Sequence, residues 1–162
     1  MLATQKKSLK VGKYVTKNHV DTVIKNYKRE RWAHNSERIG KEDSLSVWYS
    51  IEDLEDFIAK SKDHGADGVR FYFAVYSEDY AEQPQYAGRQ TMVMVATKQK
   101  ENETGIAANK DIYTTTDKGT EILAYNAGTM CPPFCRPKGI SGDGDDIGIT
   151  IVDKGNDGLV II

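Results

Sequence analysis

The hydrophobic and polar positions change period several times along the chain, and each change marks an element. In "TKNHVDTVIKNYKRERWAH", Val20, Val23, Ile24 and Tyr27 recur at the spacing of one helical face, which predicts a helix with Trp32 near its end. The polar stretch "NSERIGKEDS" reads as a connection. In "LSVWYS", Leu45, Val47 and Tyr49 alternate with Ser46, Trp48 and Ser50, the period of a strand. The period then switches back. Ile51, Leu54, Phe57 and Ile58 line one face of a second helix, with Ser50 as its N-cap, Asp53 at the third helical position and Gly65 as a left-handed stop.

After "GADG" comes the plainest strand pattern, "VRFYFAVYS". Val69, Phe71, Phe73 and Val75 fall on one side and are expected in the core. Arg70, Tyr72, Ala74 and Tyr76 fall on the other, which is less polar than an ordinary solvent face and is expected to be partly covered. "QTMVMVATK" carries a continuous apolar run from Met92 to Ala96, the signature of a central strand buried on both faces. Residues 98–111 read as a loop. "IYTTTDKGTEILAYNAG" fits either strand-turn-strand or a short helix, and "ITIVDKGNDGLVII" fits two short strands around a turn. This order predicts an α+β fold in a single domain over residues 1–162, with residues 1–15 a flexible N-terminal segment. A mixed or antiparallel sheet of about four to six strands would carry at least two helices, mainly on one face.

Composition narrows the classes of function. The chain has 162 residues, enough for one core without metal or disulfide staples, and a formal net charge of −2. No global basic field draws it to nucleic acid, and the lysines and arginines of its N-terminal third read as a solvated helix face. No run of 18 apolar residues points to a membrane span. No apolar stretch of signal-peptide kind follows the N-terminal lysines, so a cytoplasmic protein with reduced cysteines is expected. Phosphate-loop, dinucleotide, zinc-protease and nucleophile-elbow motifs are all missing. An EF-hand register begun at Asp143 fails at its fifth position, Ile147, and its twelfth, Lys154. Neither a metal nor a cofactor is expected.

Two places hold candidate chemistry. Cys131 and Cys135 are the only cysteines, and they flank Pro132 and Pro133. A polyproline II path between them would span about 12 Å, too far for a disulfide, so a bridge demands a turn. The foremost reading is two partly buried thiols beside a proline-defined turn. A metal pair, a redox or disulfide role, and a nucleophile served by Asn126 stay open behind it. Arg70 needs a partner inside its apolar strand: an internal carboxylate or solvent at a sheet edge first, a ligand carboxylate or phosphate second. With Tyr72 and Tyr76 it makes an aromatic, arginine-bearing face of the kind enriched at binding hot spots.

"SVWYSIEDLEDFI", "GADGVRFYFAVYS", "TMVMVATK" and "YNAGTMCPPFC" together resemble a family of small uncharacterised bacterial proteins over residues 45–135. Its marked positions fall on Gly68, Arg70, Tyr72, Phe73, Asn126, Gly128, Cys131, Pro132, Pro133 and Cys135. The resemblance implies no activity. The reading that follows is a non-enzymatic binding or structural module, taking a protein partner or a second copy through strand edges, with no nucleic acid and no membrane. The apolar ending "GLVII" adds to it. The alternative is a small enzyme or a metal- or thiol-dependent protein centred on Cys131, Cys135 and Asn126.

Overall fold

The structure is a computed structural model that describes residues 10–101, 103–135, 151–153 and 159–161. It is a single-domain α+β fold. Helix α1 (Lys17–Tyr27) runs through one π-helical turn (Lys28–Trp32) directly into α2 (Ala33–Ile39). Thr16 caps the start, its hydroxyl accepting from the His19 N–H, and Gly40 ends the helix in the left-handed region at φ 69°. The stretch expected as a polar connection from Asn35 is therefore helix as far as Ile39. Only Ile39 in it is apolar, but no residue breaks the helix before Gly40. The indole N–H of Trp32 then donates to the Asp43 carbonyl at 2.8 Å and ties the helix end to the next segment.

Strand β1 (Ser46–Trp48) is short, and α3 (Ile51–Asp63) follows at once. Ser50 and Asp53 close a reciprocal capping box: the Ser50 hydroxyl accepts from the Asp53 N–H, and the Asp53 carboxylate accepts from the Ser50 N–H. Gly65 has φ 79°, as a left-handed stop requires.

Strand β2 (Gly68–Val75) pairs antiparallel along its whole length with β3 (Gln90–Glu101), from Gly68↔Thr97 to Val75↔Gln90. On its other side β3 takes two partners. Strand β4 (Ala107–Asp111) pairs with Thr97–Glu101, and β7 (Ala124–Tyr125) pairs with Met94 and Val95. Residues 98–111, expected as a loop, thus contain the end of β3 and all of β4. Most of their side chains are polar, and Ile106 is 65% exposed, because this hairpin extends past the core. Strands β5 (Tyr113–Thr116) and β6 (Gly119–Ile122) settle the ambiguous stretch as strand-turn-strand, with Gly119 at φ 117° in the turn. Strand β8 (Thr129–Cys131) pairs with β1, and β9 (Ile151–Asp153) pairs with β10 (Leu159–Ile161). The apolar C-terminal strand is therefore paired within the chain. The acidic glycine-rich stretch 141–148 lies outside the described residues.

The main core forms where α3 lies on β3. Phe57 meets Met94, Ala96 and Leu123, with Tyr49, Leu54, Val69 and Ile112 around them. Met94, Val95 and Ala96 are 1%, 2% and 0% exposed, as the unbroken apolar run requires of a central strand. Burying one side chain such as Phe57 stabilises the fold by roughly 1.5–3 kcal/mol. A second cluster joins Tyr76, Tyr86 and Met130, with Val47 and Tyr80 against it.

One expectation fails on β2. Val69 packs into the core, but Phe71, Phe73 and Val75 are 53%, 79% and 59% exposed. Alternation identifies their shared face correctly. What it lacks is the extent of the cover: the core under α3 reaches β2 only at Val69, and β2 is the outermost strand of its sheet among the described residues.

Candidate functional site

The six residues singled out in the sequence fall into three local groups. The first is on β2. Arg70 reaches diagonally across β3 to β4, where its Nη1 lies 2.5 Å from Asp111 Oδ1 and its Nη2 donates to the Asn109 carbonyl at 2.7 Å. Tyr72 donates its hydroxyl proton to Asp111 Oδ2 at 2.7 Å and accepts from Arg70 Nη1 at 3.0 Å. The bond to Tyr72, seconded by the Asp111 charge, holds the guanidinium more firmly protonated than usual. The partner that Arg70 needs is thus an internal carboxylate, and the cluster satisfies itself. Asp111 escaped the sequence reading because it lies in the segment taken for a loop.

The second group closes the far end of the same strand face. Tyr76 and Thr91 both donate to Asn126 Oδ1, at 3.4 and 3.1 Å. Asn126 therefore fastens the segment after β7 to β2 and β3. Ala127 follows at φ 70°, and Gly128 packs so closely that a Cβ there would lie 2.6 Å from Val47 Cγ1 and from the Tyr49 ring. Burial raises the Tyr49 pKa, partly offset by a hydrogen bond with the Gly128 backbone.

The third group corrects the reading of the cysteines. Cys131 and Cys135 are joined in a disulfide with Cα atoms 4.5 Å apart, and the Cys131–Pro132 and Pro132–Pro133 peptide bonds are both cis. The chain reverses sharply enough for the sulfurs to meet, so they are not two free thiols. The turn is also held by its neighbours: Leu45 N donates to the Cys131 carbonyl at 2.8 Å, Ser44 Oγ to the Pro132 carbonyl at 3.1 Å, and Phe134 N to the Met130 carbonyl at 2.8 Å. Aromatic rings connect it to the second group. Tyr76 stacks on Tyr86 at 5.7 Å, and Tyr86 meets Phe134 edge-on at 5.8 Å.

Two buried charged residues gave no signal in the sequence. Asp43 Oδ1 accepts from the Ser44 and Gln90 N–H groups at 2.8 and 2.7 Å. Arg89 is 8% exposed and donates from Nε to the Gln85 carbonyl. Burial lowers its pKa, against the pull of the Asp43 and Glu42 charges. Asp43 thereby ties the start of β3 to the segment before β1, and Arg89 closes the loop before β3 on itself. Among the described residues no three His, Cys, Asp or Glu side chains cluster as metal ligands. A cleft of about 230 Å³ opens at the Gly68 end of β2, between Asp67, Thr97, Gln99 and Asn109. It is smaller than the roughly 300–1,000 Å³ usual for small-molecule sites.

Among the described residues, the outer edge of β2 pairs with no other strand. Tyr76 N donates to the Arg89 carbonyl across the end of the β2–β3 ladder. Antiparallel pairing alternates, so Arg70, Tyr72 and Ala74 also direct their backbone groups toward β3. Val69, Phe71, Phe73 and Val75 then direct their N–H and C=O groups outward. The same four residues carry the apolar face, three of them exposed. Unpaired backbone donors and acceptors thus coincide with exposed phenyl and isopropyl groups.

Comparison of the chain with protein-family models, with curated proteins and with solved structures finds no match. The fold and its surfaces therefore carry the functional argument alone.

Proposed function

We propose that this protein is a non-enzymatic binding module that takes an extended segment of a protein partner along the β2 edge. One observation carries the reading: Phe71, Phe73 and Val75 stand exposed on a strand whose outer backbone groups are unpaired among the described residues. An added strand would gain backbone hydrogen bonds from the edge and side-chain pockets from the alternating apolar row, the physics of β-augmentation. Natural edges are usually guarded by lysine, proline or a bulge. Residues 68–75 contain neither lysine nor proline, and their register with β3 runs without a bulge. Arg70, the one charge on the strand, is engaged by Asp111 on the sheet itself.

No helix among the described residues is long and apolar enough to cross a membrane. The cytoplasmic placement drawn from the N-terminal sequence stands as a proposal, opposed by a disulfide of the kind that persists in oxidising compartments.

Selection from a random peptide library, counter-screened with Phe73→Lys, tests the edge. Peptides of alternating apolar pattern are expected to bind the wild type and to lose about tenfold or more on the variant, a change of about 1.4 kcal/mol. The reading falls if no such peptide emerges and the Phe71 and Phe73 amides exchange freely at every protein concentration.

A further inference from the structure

We propose that the partner at this edge is a second copy of the same chain, paired β2 to β2 about a two-fold axis at Tyr72. The inference rests on the edge reading and specifies its occupant. A two-fold interface must place residue i against j and j against i. With Tyr72 on the axis, Phe71 falls opposite Phe73 of the second copy, and Val69 falls opposite Val75. These four are the outward-facing residues of the edge, so each match is a hydrogen-bonded pair that exchanges two backbone bonds. The Phe71–Phe73 matches bring together rings that are 53% and 79% exposed in the single chain.

On the opposite face the same register sets Tyr72 against Tyr72 and Arg70 against Ala74. No like charges face each other, and Arg70 keeps Asp111 within its own chain. Neighbouring registers do worse. An axis at Phe71 sets Val75 against Asp67, whose carboxylate accepts from the Gln99 N–H at 3.1 Å. An axis at Phe73 sets Val69 against Ser77, beyond the end of the strand. An axis at Arg70 opposes two guanidinium groups. Among these, only the Tyr72 register gives every outward apolar residue an apolar partner. A foreign strand would require no such self-match in "VRFYFAV".

The test combines light scattering with directed cross-linking of the full chain. At about 100 μM, above a micromolar dissociation constant, the wild type is expected to run as a dimer and Phe73→Lys as a folded monomer. Under mild oxidation Tyr72→Cys is expected to form a covalent dimer, because facing Cα atoms in a non-hydrogen-bonded pair lie about 4.5 Å apart, within disulfide reach. Phe73→Cys, which faces Phe71 rather than itself, should cross-link far less. A monomeric wild type with no Tyr72→Cys dimer overturns self-pairing. If library peptides still bind and are lost on Phe73→Lys, the edge has a foreign occupant and the broader reading survives. If they do not, both fall. A dimer that persists in Phe73→Lys also overturns the proposal, since its interface would lie elsewhere.

Discussion

Asp53 does more than close a helix cap. Its Oδ2 accepts from the Ser50 hydroxyl at 2.7 Å and the Ser50 N–H at 3.1 Å, and its Oδ1 accepts from Tyr125 at 2.9 Å. The Ser50 hydroxyl first, then Tyr125, holds the carboxyl below its ordinary value. A carboxylate with a depressed folded pKa adds stability above the unfolded value, near 3.9, and that stability is lost as pH falls through the folded value. Thermal unfolding of wild type and Asp53→Asn should therefore differ most at neutral pH and converge in acid, once the pH falls below the unfolded value and through the lowered folded one. A difference that stays constant across that range would exclude the carboxylate as its source. The cap itself was legible, because Ser50 and Asp53 sit three residues apart ahead of an apolar helical pattern. Tyr125 was not, since 72 residues separate it from Asp53 and only the sheet brings it there. Arg70 tells the same story: its need for a carboxylate followed from its strand, but the identity of Asp111 required β4.

At the scale of elements, the Cys131–Cys135 turn was the best-marked feature of the C-terminal half, and its covalent state was the part misjudged. An extended proline path would hold the two sulfurs apart, whereas this turn brings their Cα atoms to 4.5 Å. The bridge closes a loop with a sequence separation of only four. By loop-closure entropy such a short ring stabilises by about 2 kcal/mol. The double variant Cys131→Ser, Cys135→Ser should lower the urea midpoint by an equivalent amount with an unchanged slope. An unshifted midpoint would mean that the hydrogen bonds from Leu45, Ser44 and Phe134 suffice. The helices were read well wherever their periodicity was apolar, and α2 was cut short because Ile39 alone in its last turn is apolar and one residue makes no period. Strand β4, AANKD, was missed because it has no alternation of large apolar residues.

For the whole molecule, patterning recovered the class of fold, the central place of β3 and the two apolar faces of β2. It assigned one of those faces wrongly to the interior. Periodicity reports which residues share a side; it carries no information on how far a 13-residue helix extends over an eight-residue strand. The proposed interface is the uncovered remainder.

The position of β3 has a consequence for how this fold comes apart. Strands β2, β4 and β7 each pair with β3, and β2 shares no ladder with the other two. The sheet has a single seam holder and no bypass. Partial opening that frees β3 dissolves every ladder of that sheet at once, so its loss should be all-or-none. The amides of Met94, Val95 and Ala96 should accordingly exchange only through global unfolding and show the highest protection in the chain. Faster exchange there than in α3 would show that the helix outlives the sheet.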